Sequence, residues 1–188
     1  MLFNFIGCPQ SGKTTTAAML FASMKETGMV AEFNLEQARF YIAKLRVKYQ
    51  IPPDKSFSLD DADQFEIMKA QVEADETLVK ACGPKVTIIS DSSPLNSMLY
   101  MTEDFKNTPE VQELASRSLA ITDLSFHMLP IYRPYLEDPN RIHTEEQSKI
   151  IDQEIPKLLS RFPGLNVAGV SGTMAERLLL VQNRIFFR

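Results

Sequence analysis

Short unbroken apolar runs alternate along this chain with longer stretches whose apolar residues recur every three or four positions. The first pattern suits a strand buried on both faces, the second an amphipathic helix. Leu2–Ile6 reads as a buried strand. Residues 13–25 read as the helix that follows, with Ala17, Met19, Leu20, Ala22 and Met24 on its inner face and Gly28 able to end it. A second strand is predicted over 29–34. A helix over 35–49 is stopped by Ile51-Pro52-Pro53. Residues 60–80 form a long amphipathic helix that packs through Phe65, Met68, Val72 and Leu78 and is broken by Gly83-Pro84.

The run "KVTIISD", 85–91, is the clearest buried strand. A helix starts near 94–101, and another covers 104–120 with an interruption at Pro109. Strands at 123–129 and 166–170 flank a proline-containing loop at 131–144 and a helix at 145–162, kinked at Pro156. A last helix covers 173–181. Strands alternating with helices imply βαβ units: a five-stranded parallel sheet with helices on both faces. No repeat or low-complexity linker divides the chain, so residues 1–188 are expected to form a single domain.

Composition narrows the classes. The 188 residues are 44% hydrophobic and 23% charged, the balance of a globular protein with a sizeable core. The net charge of −4 offers no general basic face for nucleic acid, though a local patch stays open. The two cysteines, Cys8 and Cys82, have no companion at metal-ligand spacing; reduced thiols and a cytoplasmic setting are expected, host cytoplasm if the gene is a phage's. "MLFNFIG" lacks the basic segment and cleavage site of a signal peptide, and no apolar run is long enough to span a membrane.

The chemistry is concentrated in Gly7-Cys8-Pro9-Gln10-Ser11-Gly12-Lys13-Thr14-Thr15. The spacing G-x-x-x-x-G-K-[ST], after a buried strand and before a helix, is that of a phosphate-binding loop. Its glycines let the backbone curl so that N–H groups point at phosphate oxygens, and the helix start adds partial positive charge. Lys13 could bridge the outer phosphates of ATP, and the Thr14 hydroxyl could ligate Mg²⁺. Such a loop needs a second metal partner at the end of a neighbouring strand. Asp91 ends "VTIISD" at the edge where ligands bind in open α/β sheets, and could hold the metal or deprotonate an acceptor; its other reading is a helix cap.

Taken with "EFNLEQARFYIAKLR", "IISDSSPLNSMLYM", "DLSFHMLP" and "SGTMAERL", the loop resembles the nucleoside and nucleotide kinase branch of P-loop proteins. The likeness is to nicotinamide-riboside-kinase-like and thymidylate-kinase-like enzymes, and to bacteriophage kinases of 5-hydroxymethyluracil in DNA. It implies a P-loop NTPase fold with a lid, ATP and Mg²⁺ as donor and cofactor, and a nucleoside, nucleotide or hydroxymethylated DNA acceptor. It places Glu36 and Arg39, i,i+3 on one helix face, at the acceptor; a solvated ion pair is the other reading. It makes 131–144 the lid, with Arg133 and Arg141 as catalytic arginines, and puts Ser171 and Gly172 against adenine. Ser92 stands where the family pattern has arginine after the strand acid. His127 is expected to be a satisfied core residue, and His143 structural or solvated. Lys44, Arg46 and Lys48 form a modest basic cluster for a DNA acceptor, or a solvated helix face. A homodimer stays open. A nucleotide-dependent switch without an acceptor is the reading of another class.

Overall fold

The computed structural model describes residues 1–52, 55, 57–130 and 144–187. Five parallel strands stand in the order β2-β3-β1-β4-β5: β1 Leu2–Ile6, β2 Ala31–Asn34, β3 Thr87–Ser90, β4 Leu124–Met128 and β5 Val167–Val170. β1 lies at the centre, and all five of its residues are buried. Its unbroken apolar run follows from that position, because both faces of a central parallel strand are covered.

Successive β1 side chains point to opposite faces, so the strand feeds two cores. Phe3 and Phe5 meet Phe126 of β4 and pack under α1 (Lys13–Glu26) and α7 (Met174–Phe186) through Leu20, Met24, Val181 and Ile185. Ile6 faces the other way, towards α3 (Asp61–Cys82), α5 (Pro109–Ile121) and α6 (Glu145–Ser160) through Met68, Val72, Leu114, Ile151 and Ile155. Each fully buried side chain of this size contributes roughly 1.5–3 kcal/mol. The two layers thereby fix the carboxyl edge of the sheet from both sides.

Several elements depart from the sequence pattern for local reasons. Pro109 opens α5 at its first turn, where a missing N–H costs nothing, rather than interrupting a helix; residues Glu103–Lys106 form a separate short α4. Pro94–Tyr100 is a 3₁₀ turn, and its cap is Ser93, not Asp91. α7 runs to Phe186, past the expected end at 181, because Ile185 continues the apolar stripe of Val181. Ala22 is exposed on α1, while Thr16 takes a buried place there. Pro156 lies inside a continuous α6. The exposed helix α2 (Gln37–Lys48) buries no residue. Arg133, Arg141 and His143 lie outside the described residues; Thr144 caps α6 in a capping box with Gln147.

Candidate active site

The loop between β1 and α1 is built as its glycines require. Gly12 has φ of 87°, the left-handed region that glycine enters without strain, and it caps α1. A Cβ on Gly7 would lie 2.6 Å from Ser11 Oγ and 2.9 Å from the Met128 carbonyl, so no larger residue fits. Lys13 Nζ donates to the Gly7 and Cys8 carbonyls at 2.8 and 3.1 Å, which folds the ammonium over the loop. Thr15 is exposed, and Pro9, Gln10 and Thr14 are half-buried.

Asp91 sits just past β3, 1% exposed. Its carboxyl bonds to the Thr14 hydroxyl, and it also feels Lys13 and Arg39. Burial first, and then the neighbouring Glu36, push its pKa up to about 6 despite these partners. Its Oδ1 is buried with no hydrogen-bond partner. Glu36 and Arg39 pair with each other at 3.1 Å, as their i,i+3 spacing allows.

A solvent-open cleft runs from this loop along α3. Gly7 and Lys13 line it together with Glu36, Gln64, Ile67 and Tyr100, among others. Neither Asp91 nor Arg39 is part of its lining. Two glutamines, Gln64 and Gln71, face the cleft from the same side of α3, seven residues apart. Gln71 is engaged: it accepts from the Gln37 N–H and donates to Ser90 Oγ. Gln64 is 5% exposed, and its carboxamide makes no hydrogen bond among the described residues. At the end of β2, Asn34 donates to the buried Asp75 of α3 at 2.6 Å, and burial pushes Asp75 up to about 6.

Two side chains that sequence reasoning missed hold the loop in place. Asn96 accepts the Gly7 N–H and donates to the Phe5 carbonyl and Ser92 Oγ. Ser92, where the resembling kinases carry arginine, is thus a buried structural partner. Arg177, 1% exposed, donates to the carbonyls of Ser11, Leu129 and Gly172 at 2.8 Å each, and to Pro130 at 3.4 Å. Burial lowers its pKa, offset only in part by the nearby Cys8. The one signal in the sequence was an arginine in an apolar helical stripe, which reads as an exposed charge.

Ser171 and Gly172 form the exposed turn before α7, and Thr173 caps that helix with Glu176. Behind the loop, Ser148 of α6 donates to the Pro9 carbonyl. The buried Cys8 thiol, raised by burial, bonds to Ser148 and Asp152. His127 faces this group with Nε2 buried and unpartnered, so it is not the satisfied core residue expected; burial lowers its pKa. Lys44, Val47 and Lys48 on α2 are exposed to solvent.

The residues present suit a phosphate group and a divalent cation: a cradle that a Cβ would fill, a helix start, a hydroxyl bonded to a carboxyl, and an orphaned carboxylate oxygen. A family model described as an AAA domain matches residues 2–177. The chain belongs to the AAA domain family. This AAA domain has the fold of P-loop NTPases, and that membership implies nucleotide binding. Among solved structures it is similar to NadR protein in complex with NAD and AMP-PNP (TM-score 0.64, 17% identity), covering 98% of this chain and 49% of that one. The AAA domain therefore spans about half the length of NadR. It is similar to thymidylate kinase from Candida albicans (TM-score 0.64, 16% identity, 98% and 90% covered). It is also similar to deoxyadenosine kinase from M. mycoides with bound dATP (TM-score 0.56, 12% identity, 98% of each chain covered). At these identities the likeness is one of fold. No curated protein matches the chain. No helix among the described residues is long and apolar enough to cross a membrane.

Proposed function

We propose that the chain is an ATP-dependent phosphotransferase. It moves the γ-phosphoryl group of ATP to a hydroxyl of a nucleoside, nucleotide or other nucleobase-type acceptor. One observation carries this reading: Lys13 of the phosphate loop shares a single cleft with Glu36 and the unengaged carboxamide of Gln64. A nucleotide switch or simple ATPase needs the first of these and has no use for a polar cleft beside it. A free carboxamide offers a donor and an acceptor side by side, which suits the edge of a planar base.

Backbone N–H groups from Gly7 to Thr15 cradle the donor phosphates, and Lys13 neutralises charge on the transferring group. Thr14 and Asp91 are the residues that would hold Mg²⁺, whose chemistry here is to offset phosphate charge. Ser171 and Gly172 lie against the donor base. Glu36, with Arg39 behind it, orients the acceptor hydroxyl. The acceptor oxygen forms its bond to phosphorus as the bridging bond to ADP breaks, and the hydroxyl proton passes to a carboxylate. Arg133 and Arg141 are the lid arginines of this scheme. The fold shared with nucleoside and nucleotide kinases supports it.

The deciding experiment incubates γ-labelled ATP with nucleosides, nucleoside monophosphates, plain DNA and hydroxymethylated DNA. Label is expected in a nucleoside or nucleotide. Label in hydroxymethylated DNA alone would move the acceptor to a polymer. The acid-free helix α2, with exposed Lys44 and Lys48, is the observation that favours this second reading. Release of free phosphate with no labelled acceptor would overturn transfer and leave a switch or ATPase.

A further inference from the structure

Arg177 binds no carboxylate among the described residues, yet it is one of the most deeply buried side chains there. Burying a guanidinium is costly unless its donors are satisfied. Here they go to carbonyls from three separate segments: Ser11 in the phosphate loop, Leu129 and Pro130 just past β4, and Gly172 just past β5.

The bond to Ser11 has a directional consequence. A trans peptide unit is planar, and its C=O and N–H point in opposite directions. With the Ser11 oxygen held back by Arg177 Nη1 at 2.8 Å, the Gly12 N–H of the same unit is turned forward, out of the loop. Gly12 itself sits at φ 87°, a conformation that only the surrounding bonds keep aimed. The Gly172 carbonyl is fixed by Nε of the same guanidinium. One rigid planar group thereby sets the spacing between the loop that takes phosphate and the turn that meets the base, which a lysine's single point of charge cannot do.

We propose that Arg177 is a positioning residue for nucleotide binding: it aims the Gly12 N–H at the donor phosphates and sets its distance from the Ser171–Gly172 turn. The role rests on the phosphotransferase reading only as far as nucleotide binding at the loop. It adds a buried element that touches neither substrate.

The test measures Mg²⁺·ADP affinity by calorimetry for wild type, Arg177→Lys and Arg177→Met. The temperature is one at which circular dichroism shows each protein folded. Both variants are expected to bind at least about tenfold more weakly, since a misaimed Gly12 N–H loses its bond to the charged phosphate in the bound state alone. A purely structural role would lower the melting temperature and leave the affinity of the folded protein unchanged, and that result would overturn the proposal. A second measurement needs no variant. In an ADP titration of wild type followed by ¹H–¹⁵N NMR, the Gly12 amide and Arg177 Nε signals are expected to shift with one midpoint. A shift of Gly12 with Arg177 Nε unmoved would overturn the coupling. Wild type failing to bind ADP at all is a separate result, and it would overturn nucleotide binding at the loop itself.

Discussion

Asn96 and Gly7 meet at 3.2 Å, the side-chain oxygen of one accepting the backbone N–H of the other, 89 residues apart in sequence. The same amide donates to Phe5 at the end of β1 and to Ser92 past β3, so its donors and acceptor are all engaged. Asn96→Ala strands the buried Gly7 N–H, while the Phe5 carbonyl keeps the Ser93 N–H, and is expected to cost about 1–3 kcal/mol. Chemical denaturation measures this. Asn96→Asp keeps the acceptor but loses both donors, and is expected to fall between wild type and Asn96→Ala.

Lys13 and Asp91 should separate by kinetics. Lys13→Met removes the charge at the transferring group and is expected to lower kcat by about a thousandfold or more. The fold survives, because the Lys13 donations to the Gly7 and Cys8 carbonyls lie at the surface of the cleft and not in either core. Asp91→Asn is expected to lower kcat more than it raises the KM for ATP. Equal turnover in Asp91→Asn and wild type would rule out this carboxyl as a participant.

Gln64 should act on the acceptor alone. Gln64→Leu keeps the volume, removes an unengaged carboxamide and breaks no bond seen in the structure. It is expected to raise the acceptor KM about tenfold while the KM for ATP stays put. Thermal stability should stay close to that of wild type, since no side-chain hydrogen bond among the described residues is lost. A rise in both KM values together would place Gln64 in general cleft shape rather than in recognition.

Asp75 predicts how stability changes with pH. Its pKa is raised to about 6 by burial, from the ordinary carboxylate value of 3.8. Between these values the native state holds a proton that the unfolded chain has lost. The contribution of Asp75 is therefore full below about pH 4 and declines as pH rises through 6. Asp75→Asn keeps an oxygen for Asn34 and cannot ionise. Its stability relative to wild type is expected to increase from pH 4.5 to 7.5, read by urea denaturation at both pH values. A constant difference would show that Asp75 does not titrate in this window.

What the sequence revealed was what depends on neighbours along the chain. Gly7 and Gly12 are legible because the strand, turn and helix that need them are contiguous, and β1 is legible because a doubly covered strand must be apolar throughout. Glu36 and Arg39 were visible as a pair from their spacing alone. Asn96 and Arg177 were not, since their bonds to Gly7 and Ser11 cross 89 and 166 residues. Gln64 and Gln71 look identical on the same helical stripe; only the partners supplied by Gln37 and Ser90 tell the engaged one from the free one. Pro109 was misread because proline breaks a helix interior but suits its first turn, and periodicity does not fix where that turn falls.

The central place of β1 also governs the order in which this domain can fold during synthesis. The strand is made before both of its neighbours, and Ile88 and Leu124 are its earliest partners on either side. The guanidinium that holds Ser11 arrives with α7, after every other strand and helix described. The last bond to hold the phosphate loop therefore forms only once α7 has been made, and nucleotide, as a ligand that binds the native state and not its precursors, favours the folded chain.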